Sequence, residues 1–207
     1  HLKKIQKQGL TLEKMWDKTE ENISIPATDM EHYAEHPDVI FVCVKGYSLQ
    51  ETIPFIKRIA RKNTIVIPVL NIYGTGGKMQ KELPDLLVTD GCIYVSANIK
   101  EPGKLLQHGQ ILHIVFGVRD KAEFRPELKE IQKDLCDSHI DGTLSENIRR
   151  EALEKFSYVS PIGAAGLYYH ATAADFQKEG EARELFKTMV KEIAALAEAM
   201  GVPFQKD

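Results

Sequence analysis

The chain has 207 residues, 43% apolar and 28% charged, enough for one large domain or two small ones without a disulfide or metal staple. Its 27 Lys and Arg against 30 Asp and Glu leave a net charge of -3, which argues against a protein built to hold a nucleic-acid backbone or an anionic membrane. Cys43, Cys92 and Cys136 are widely spaced and set in apolar runs, and they read as reduced core residues of a cytosolic protein. No run reaches 18 apolar residues, and no apolar signal segment follows His1-Leu2-Lys3-Lys4. The expectation is a soluble, cytoplasmic chain with no membrane and no nucleic-acid partner.

Asn22 to Thr28 alternates apolar and polar residues as a half-exposed strand does, with Pro26 pushing it to a sheet edge. Asp38 to Val44 is an acid followed by six apolar residues, which predicts a strand buried on both faces of a parallel sheet and stopped by Lys45 and Gly46. Ser48 with Glu51 three residues on predicts a capping box. The helix behind it carries Ile53, Ile56 and Ile59 at helical spacing, and Lys57, Arg58, Arg61 and Lys62 complement its carboxyl end. Thr64 to Leu70 is a second buried strand, so the segment is a βαβ unit with a parallel pairing.

The loop Gly74-Thr75-Gly76-Gly77 lacks both phosphate-binding glycine spacings and reads as a helix-starting turn. Cys92–Ile99 and Ile111–Phe116 predict an antiparallel hairpin, joined by a turn at Glu101-Pro102-Gly103 and a stretch containing Gly109. Helices follow at Pro126–Cys136, Ser145 to about His170, and Glu179–Met200, the last with Leu185, Met189, Ile193, Leu196 and Met200 on its packing face. The fold class expected is α/β: a partial Rossmann-type, mostly parallel sheet over residues 1–120, then an all-helical part over 121–207.

Ligands of open α/β sheets gather beyond the carboxyl ends of parallel strands. Lys45 and Asn71 mark two such ends: one offers an ammonium, the other an amide donor and acceptor. A solvated lysine and a turn asparagine are the plain alternatives. On the helix from Ser145, Lys155 falls beside the apolar arc, one turn from Ala152 and from Val159. It must snorkel to water or face a polar cleft, and partly desolvated it would suit a general acid. His32 and His36 stand four apart, but no third ligand accompanies them, so no metal site is predicted.

Taken in order, His1-Leu2-Lys3-x-Ile5 with Gly9-Leu10-Thr11-Leu12, Val42-x-Val44-Lys45, Leu70-Asn71 and Leu153-Glu154-Lys155-Phe156 resemble ketopantoate reductases (2-dehydropantoate 2-reductases). The resemblance spans essentially the whole chain and implies a Rossmann-type dinucleotide domain followed by a helical one. It implies hydride transfer from NADPH to ketopantoate, giving pantoate for pantothenate and coenzyme A synthesis. By resemblance Lys155 is the catalytic lysine, while Asn71, Lys45 and the backbone around Ile99 meet the cofactor. The implied partners are a small 2-oxo acid and a second copy in a homodimer.

Three features depart from that family. No Gly-x-Gly-x-x-Gly turn occurs in the 207 residues, and Val159 stands where many members have Asn. The chain also stops at Gln205-Lys206-Asp207, before the family's later substrate-gripping helices. The expectation is therefore the middle of a reductase or a divergent short relative of one, with two functional alternatives open: a non-catalytic scaffold that has lost the dinucleotide site, or a reductase of another 2-oxo acid. The sheet edge left without its first unit is expected to be covered by a partner or a rearranged segment.

Overall fold

A computed structural model describes residues 1–205. The chain opens with a short helix, α1 (Leu2–Gln8), that buries none of its residues. It leads into β1 (Leu10–Lys14), which pairs antiparallel with β2 (Glu20–Ile23). All four β2 residues are exposed, and the strand ends before Ile25 and Pro26, so the expected strand at Asn22–Thr28 is shorter and shifted toward Glu20. Asn22 ties the pair down by donating to the Gln8 carbonyl and to Thr11 Oγ1, each at 2.9 Å.

The expected βαβ unit is present as β3 (Val39–Val42), α2 (Leu49–Ile59) and β4 (Ile65–Pro68), with Val39 beside Ile65 and Val42 beside Pro68 in parallel register. In α2, Ile53, Ile56 and Ile59 face inward as their spacing requires. Two expectations are corrected here. Ser48 makes no side-chain cap, because a tight turn at Gly46–Ser48 leads into α2 and spends its backbone N–H on the Lys45 carbonyl at 2.9 Å. Moreover β3 is not buried on both faces. It is an end strand with no strand on its outer side among the described residues, and Phe41 is 37% exposed. Among the described residues no strand pairs with that edge.

After β4 the chain turns through Gly74, in the left-handed region at φ 77, into α3 (Thr75–Glu82). The glycine loop thus starts a helix, as read. The two residues of β5 (Leu87–Val88) extend the parallel sheet to the order β3-β4-β5. Next come the long antiparallel strands β6 (Asp90–Glu101) and β7 (Lys104–Gly117), both longer than expected. Gly109 belongs to β7 and not to the turn: between the Val95–Leu112 and Ala97–Gln107 pairs, five steps on β7 oppose two on β6, a bulge that takes up the extra residues.

β7 also pairs parallel with β1 near its start and with β8 (Asp141–Leu144) near its end, after α4 (Glu127–Asp137). A strand in the stretch expected to be all helix arises because Asp141 to Leu144 packs beneath α4, with Gly142 against Leu135. The chain ends in α5 (Ile148–Tyr169) and α6 (Glu181–Ala199), which pack against each other. On α6 it is Ala197 that is fully buried, whereas Leu196, expected on the packing face, is 49% exposed.

β4 lies at the centre of the core. Ile65 and Ile67 join Leu128, Ile131 and Leu135 of α4 on one face, while Val66 joins Ile53, Ile56 and Met79 of α2 and α3 on the other. This is the period-two alternation of a strand covered on both faces. Gly91 lets β6 run close beside it, since a Cβ there would lie 2.8 Å from the Pro68 carbonyl oxygen. All three cysteines are free, but only Cys92 is a core residue; Cys43 and Cys136 are exposed.

Candidate active site

The two strand ends marked in the sequence lie side by side. Gly46, after β3, packs onto Ile72, after β4, closely enough that a Cβ would collide with Ile72 Cδ1. Lys45 is exposed on the first loop and Asn71 on the second. From the other side α5 crosses β6. Its Ala152, Lys155 and Phe156 close a narrow crevice against Asn71, Tyr73, Gly91 and Cys92. The crevice has room for about one water molecule. Asn71 and Lys155, 84 positions apart, line the same opening; Lys45 borders the neighbouring loop and does not line it.

Lys155 is half-buried, and its Nζ stands 4.0 Å from the centroid of the Tyr94 ring. Burial pulls its pKa below the ordinary lysine value. Cys92, beneath it, is pushed up to about 11 by burial first, and Tyr94 to about 12, again by burial first. Both are therefore neutral near pH 7 and leave the ammonium as the ionised group of this trio. The surrounding wall is apolar and aromatic, with Tyr73 and Phe156 rings 6.5 Å apart. Such a site can hand a proton to an oxygen brought beside Lys155 and can orient a polar group through the Asn71 amide.

Ile99 is placed elsewhere. It pairs with Leu105 near the tip of the hairpin, is 60% exposed and lines no part of the crevice. Val159 is half-buried one turn beyond Lys155. His32 pairs with Asp29 at 2.6 Å and His36 with the Ile59 carbonyl at 2.8 Å. Among the described residues no three His, Cys, Asp or Glu side chains gather as a metal ion would need, and no helix is long and apolar enough to cross a membrane. A larger cavity of about 630 Å³ lies on the α4 side, lined by Lys121, Phe124, Lys129 and Ser145, and contains none of the residues marked in the sequence.

The glycine loop holds an anion of the protein's own. The Asp90 carboxylate lies against the Gly76–Gly77 turn, so close that a Cβ on Gly76 would collide with Asp90 Oδ1, and it also faces Arg119 at 3.6 Å. Burial raises the Asp90 pKa, and Arg119 first, then the backbone of that turn, oppose the rise. Neither Asp90 nor Tyr94 was marked by the sequence. Tyr94 carries one usable signal, its two-residue spacing from Cys92, which puts both on the face of β6 that α5 covers.

A parallel sheet β3-β4-β5 with helices on both faces, an amide at a strand end and a lysine brought over from a following helix pair define an α/β architecture with a ligand crevice at its strand ends. The chain belongs to the ketopantoate reductase family: the profile described as ketopantoate reductase PanE/ApbA matches residues 1–121, and its C-terminal counterpart matches residues 147–207. The 2-dehydropantoate 2-reductase of Aquifex aeolicus (strain VF5) is 19% identical over 176 residues, covering 85% of this chain and 57% of that protein. The chain thus spans about half the length of the curated relatives it matches. Among solved structures, a ternary complex of D-mandelate dehydrogenase with NADH and anilino(oxo)acetate superposes with a TM-score of 0.86 at 18% identity, over 99% of this chain and 65% of that one. A PanE/ApbA family ketopantoate reductase from Ralstonia eutropha JMP134 gives 0.84 at 18% identity, over 100% of this chain and 66% of that one.

Proposed function

We propose that this chain is the proton-donating part of a cytoplasmic reductase that converts a 2-oxo acid to the 2-hydroxy acid. In the form the family resemblance implies, NADPH reduces ketopantoate to pantoate for pantothenate synthesis. Residues 1–120 serve as part of the dinucleotide-binding domain and residues 121–207 as part of the helical substrate and dimerisation domain. The observation that carries this reading is the convergence of Asn71 and Lys155 on one crevice.

The residues present fit the nicotinamide end of a dinucleotide, with the Asn71 amide and the Lys45 ammonium at adjacent strand ends. They do not supply a seat for its pyrophosphate at α3, because the Asp90 carboxylate already lies against the Gly76–Gly77 turn and would repel a phosphate there. When bound, the reduced nicotinamide supplies the hydride for the carbonyl carbon. Lys155 gives its proton to the carbonyl oxygen, so that the ketone becomes a secondary alcohol and the lysine is left neutral until water reprotonates it. Partial burial makes that proton easier to release than from an ordinary lysine.

Val159 favours a second reading, a reductase of a different 2-oxo acid, since a valine cannot hydrogen-bond a substrate hydroxyl. The test uses the whole protein that carries this chain, assayed with NADPH and NADH against ketopantoate and a panel of 2-oxo acids. Lys155→Ala is expected to lower turnover by about a hundredfold or more, the typical loss for a general acid. Unchanged turnover would remove Lys155 from the mechanism, and activity on other 2-oxo acids but not ketopantoate would select the second reading.

A further inference from the structure

The Lys155 ammonium sits against an aromatic face and not against a carboxylate. Its Nζ is 4.0 Å from the Tyr94 centroid, and among the described residues it has no ion-pair partner within 4.0 Å. The nearest carboxylates of its own helix are engaged elsewhere: Glu151 accepts from Ser145 Oγ at 2.6 Å, and Glu154 faces Arg150 at 3.9 Å. Behind the ring, Tyr94 is the cross-strand partner of His113, and His113 is that of Asp141. The His113 ring meets Tyr94 edge-on at 5.5 Å and 80°, and its Nδ1 pairs with the Asp141 carboxylate. One row of side chains across β6, β7 and β8 therefore fixes the ring on which the ammonium rests.

We propose that Tyr94 is the positioning residue for Lys155, its ring face seating the ammonium beside the crevice and favouring its charged form. This rests on the reading of Lys155 as proton donor. The choice of an aromatic partner has a chemical consequence. A carboxylate would bind the N–H groups and hold the proton more firmly, whereas a ring face attracts the charge through its quadrupole and accepts no proton. The donor thus stays protonated in a partly dry place while its N–H groups remain free for a substrate oxygen. Cys92 on β6 is the other titratable neighbour; neutral near pH 7, it opposes the effect of burial on Lys155 only once its thiol ionises.

The test follows Lys155 directly, by carbon-detected NMR titration of isotope-labelled lysines in the 207-residue chain, with Lys155→Arg to assign the signal. Tyr94→Phe keeps the ring and is expected to titrate like the parent. Tyr94→Leu keeps most of the apolar cover but loses the ring face, and the Lys155 pKa is expected to fall by about one unit, the size of a partly desolvated cation–π contact. If Tyr94→Leu does not fold, Tyr94→Met carries the same comparison. A leucine or methionine variant that titrates like the parent overturns the proposal, as does a phenylalanine variant that shifts as far as leucine. In the whole enzyme Tyr94→Leu should lower kcat about tenfold with KM within about twofold and move the basic limb of the pH profile down, and Tyr94→Phe should restore both. Failure of Lys155→Ala to affect turnover would instead defeat the donor reading, whatever the titration gives.

Discussion

Asp90 and Arg119 meet 3.6 Å apart beneath the first turn of α3, one at the start of β6 and the other just past the end of β7. Arg119 also donates to the Val88 carbonyl at 2.8 Å, so the pair locks the start of the hairpin to α3 and β5. Arg119→Met leaves a buried carboxylate without its cation, and by the cost of breaking buried pairs it should destabilise the chain by about 3 kcal/mol in urea unfolding. Asp90→Asn combined with Arg119→Met should recover part of that loss. The pH dependence has a definite sign. Burial raises the Asp90 pKa in the folded state, so its contribution to stability is present below the unfolded value of about 3.9 and is lost as pH rises through the folded value. Arg119 is the largest opposing influence, so the methionine variant should lose stability over a wider span of rising pH than the parent.

Two adjacent glycines in the same turn separate a steric requirement from mere composition. A Cβ on Gly76 would collide with the Thr89 carbonyl oxygen and with Asp90 Oδ1, while one on Gly77 would only touch Arg119 Cδ at 3.9 Å. Gly76→Ala should therefore cost about 2 kcal/mol or more, since the strand behind it must shift. Gly77→Ala should be neutral or stabilise by about 0.5 kcal/mol through helix propensity and unfolded-state entropy. Thermal midpoints of the two variants check this, and equal effects would contradict it.

The same occupied turn bears on dinucleotide binding. A helix amino terminus binds phosphate when its amides face open space, and here the Asp90 carboxylate lies against the Gly76–Gly77 turn. Fluorescence titration of the 207-residue chain with NADPH should show no saturation up to about 100 μM, a weak affinity in the conversion of dissociation constant to free energy. Saturation at low micromolar NADPH would show that other residues of this chain grip the phosphates.

Much of the parallel half was legible because its signals are local. The runs at Val39–Val42 and Ile65–Pro68 and the three isoleucines of α2 state their periods within a few residues. β8 escaped because four residues with a glycine, Asp141–Leu144, carry no strand pattern and gain their place from β7 and α4. Leu196 read as packing by spacing alone, yet the face buried on α6 is set by where α5 and Val202 lie, and that selects Ala197. In the site, Lys155 stood out because a charge beside an apolar arc is anomalous. Tyr94 did not, because a tyrosine in a strand is ordinary until a lysine from 61 positions later comes to rest on it.

The remaining prediction sets activity against stability at Lys155. In the proposed mechanism reduction needs the ammonium, whose population falls as pH rises through its native pKa, and burial holds that value below the ordinary lysine value of about 10.4. The rate of 2-oxo acid reduction should accordingly be flat near neutrality and fall on a basic limb lying below that value. Linkage runs the other way for folding. A depressed native pKa favours the folded state above the unfolded value, and that advantage disappears as pH falls through the native one, so at pH 7 the half-buried ammonium is a net cost. Lys155→Met should then abolish most of the activity of the whole enzyme yet raise the urea midpoint of this chain at pH 7, with the gain shrinking as the pH rises through the lowered native value toward the unfolded one of about 10.4. A methionine variant that is less stable at pH 7 would mean that the Tyr94 ring more than offsets the desolvation of the charge.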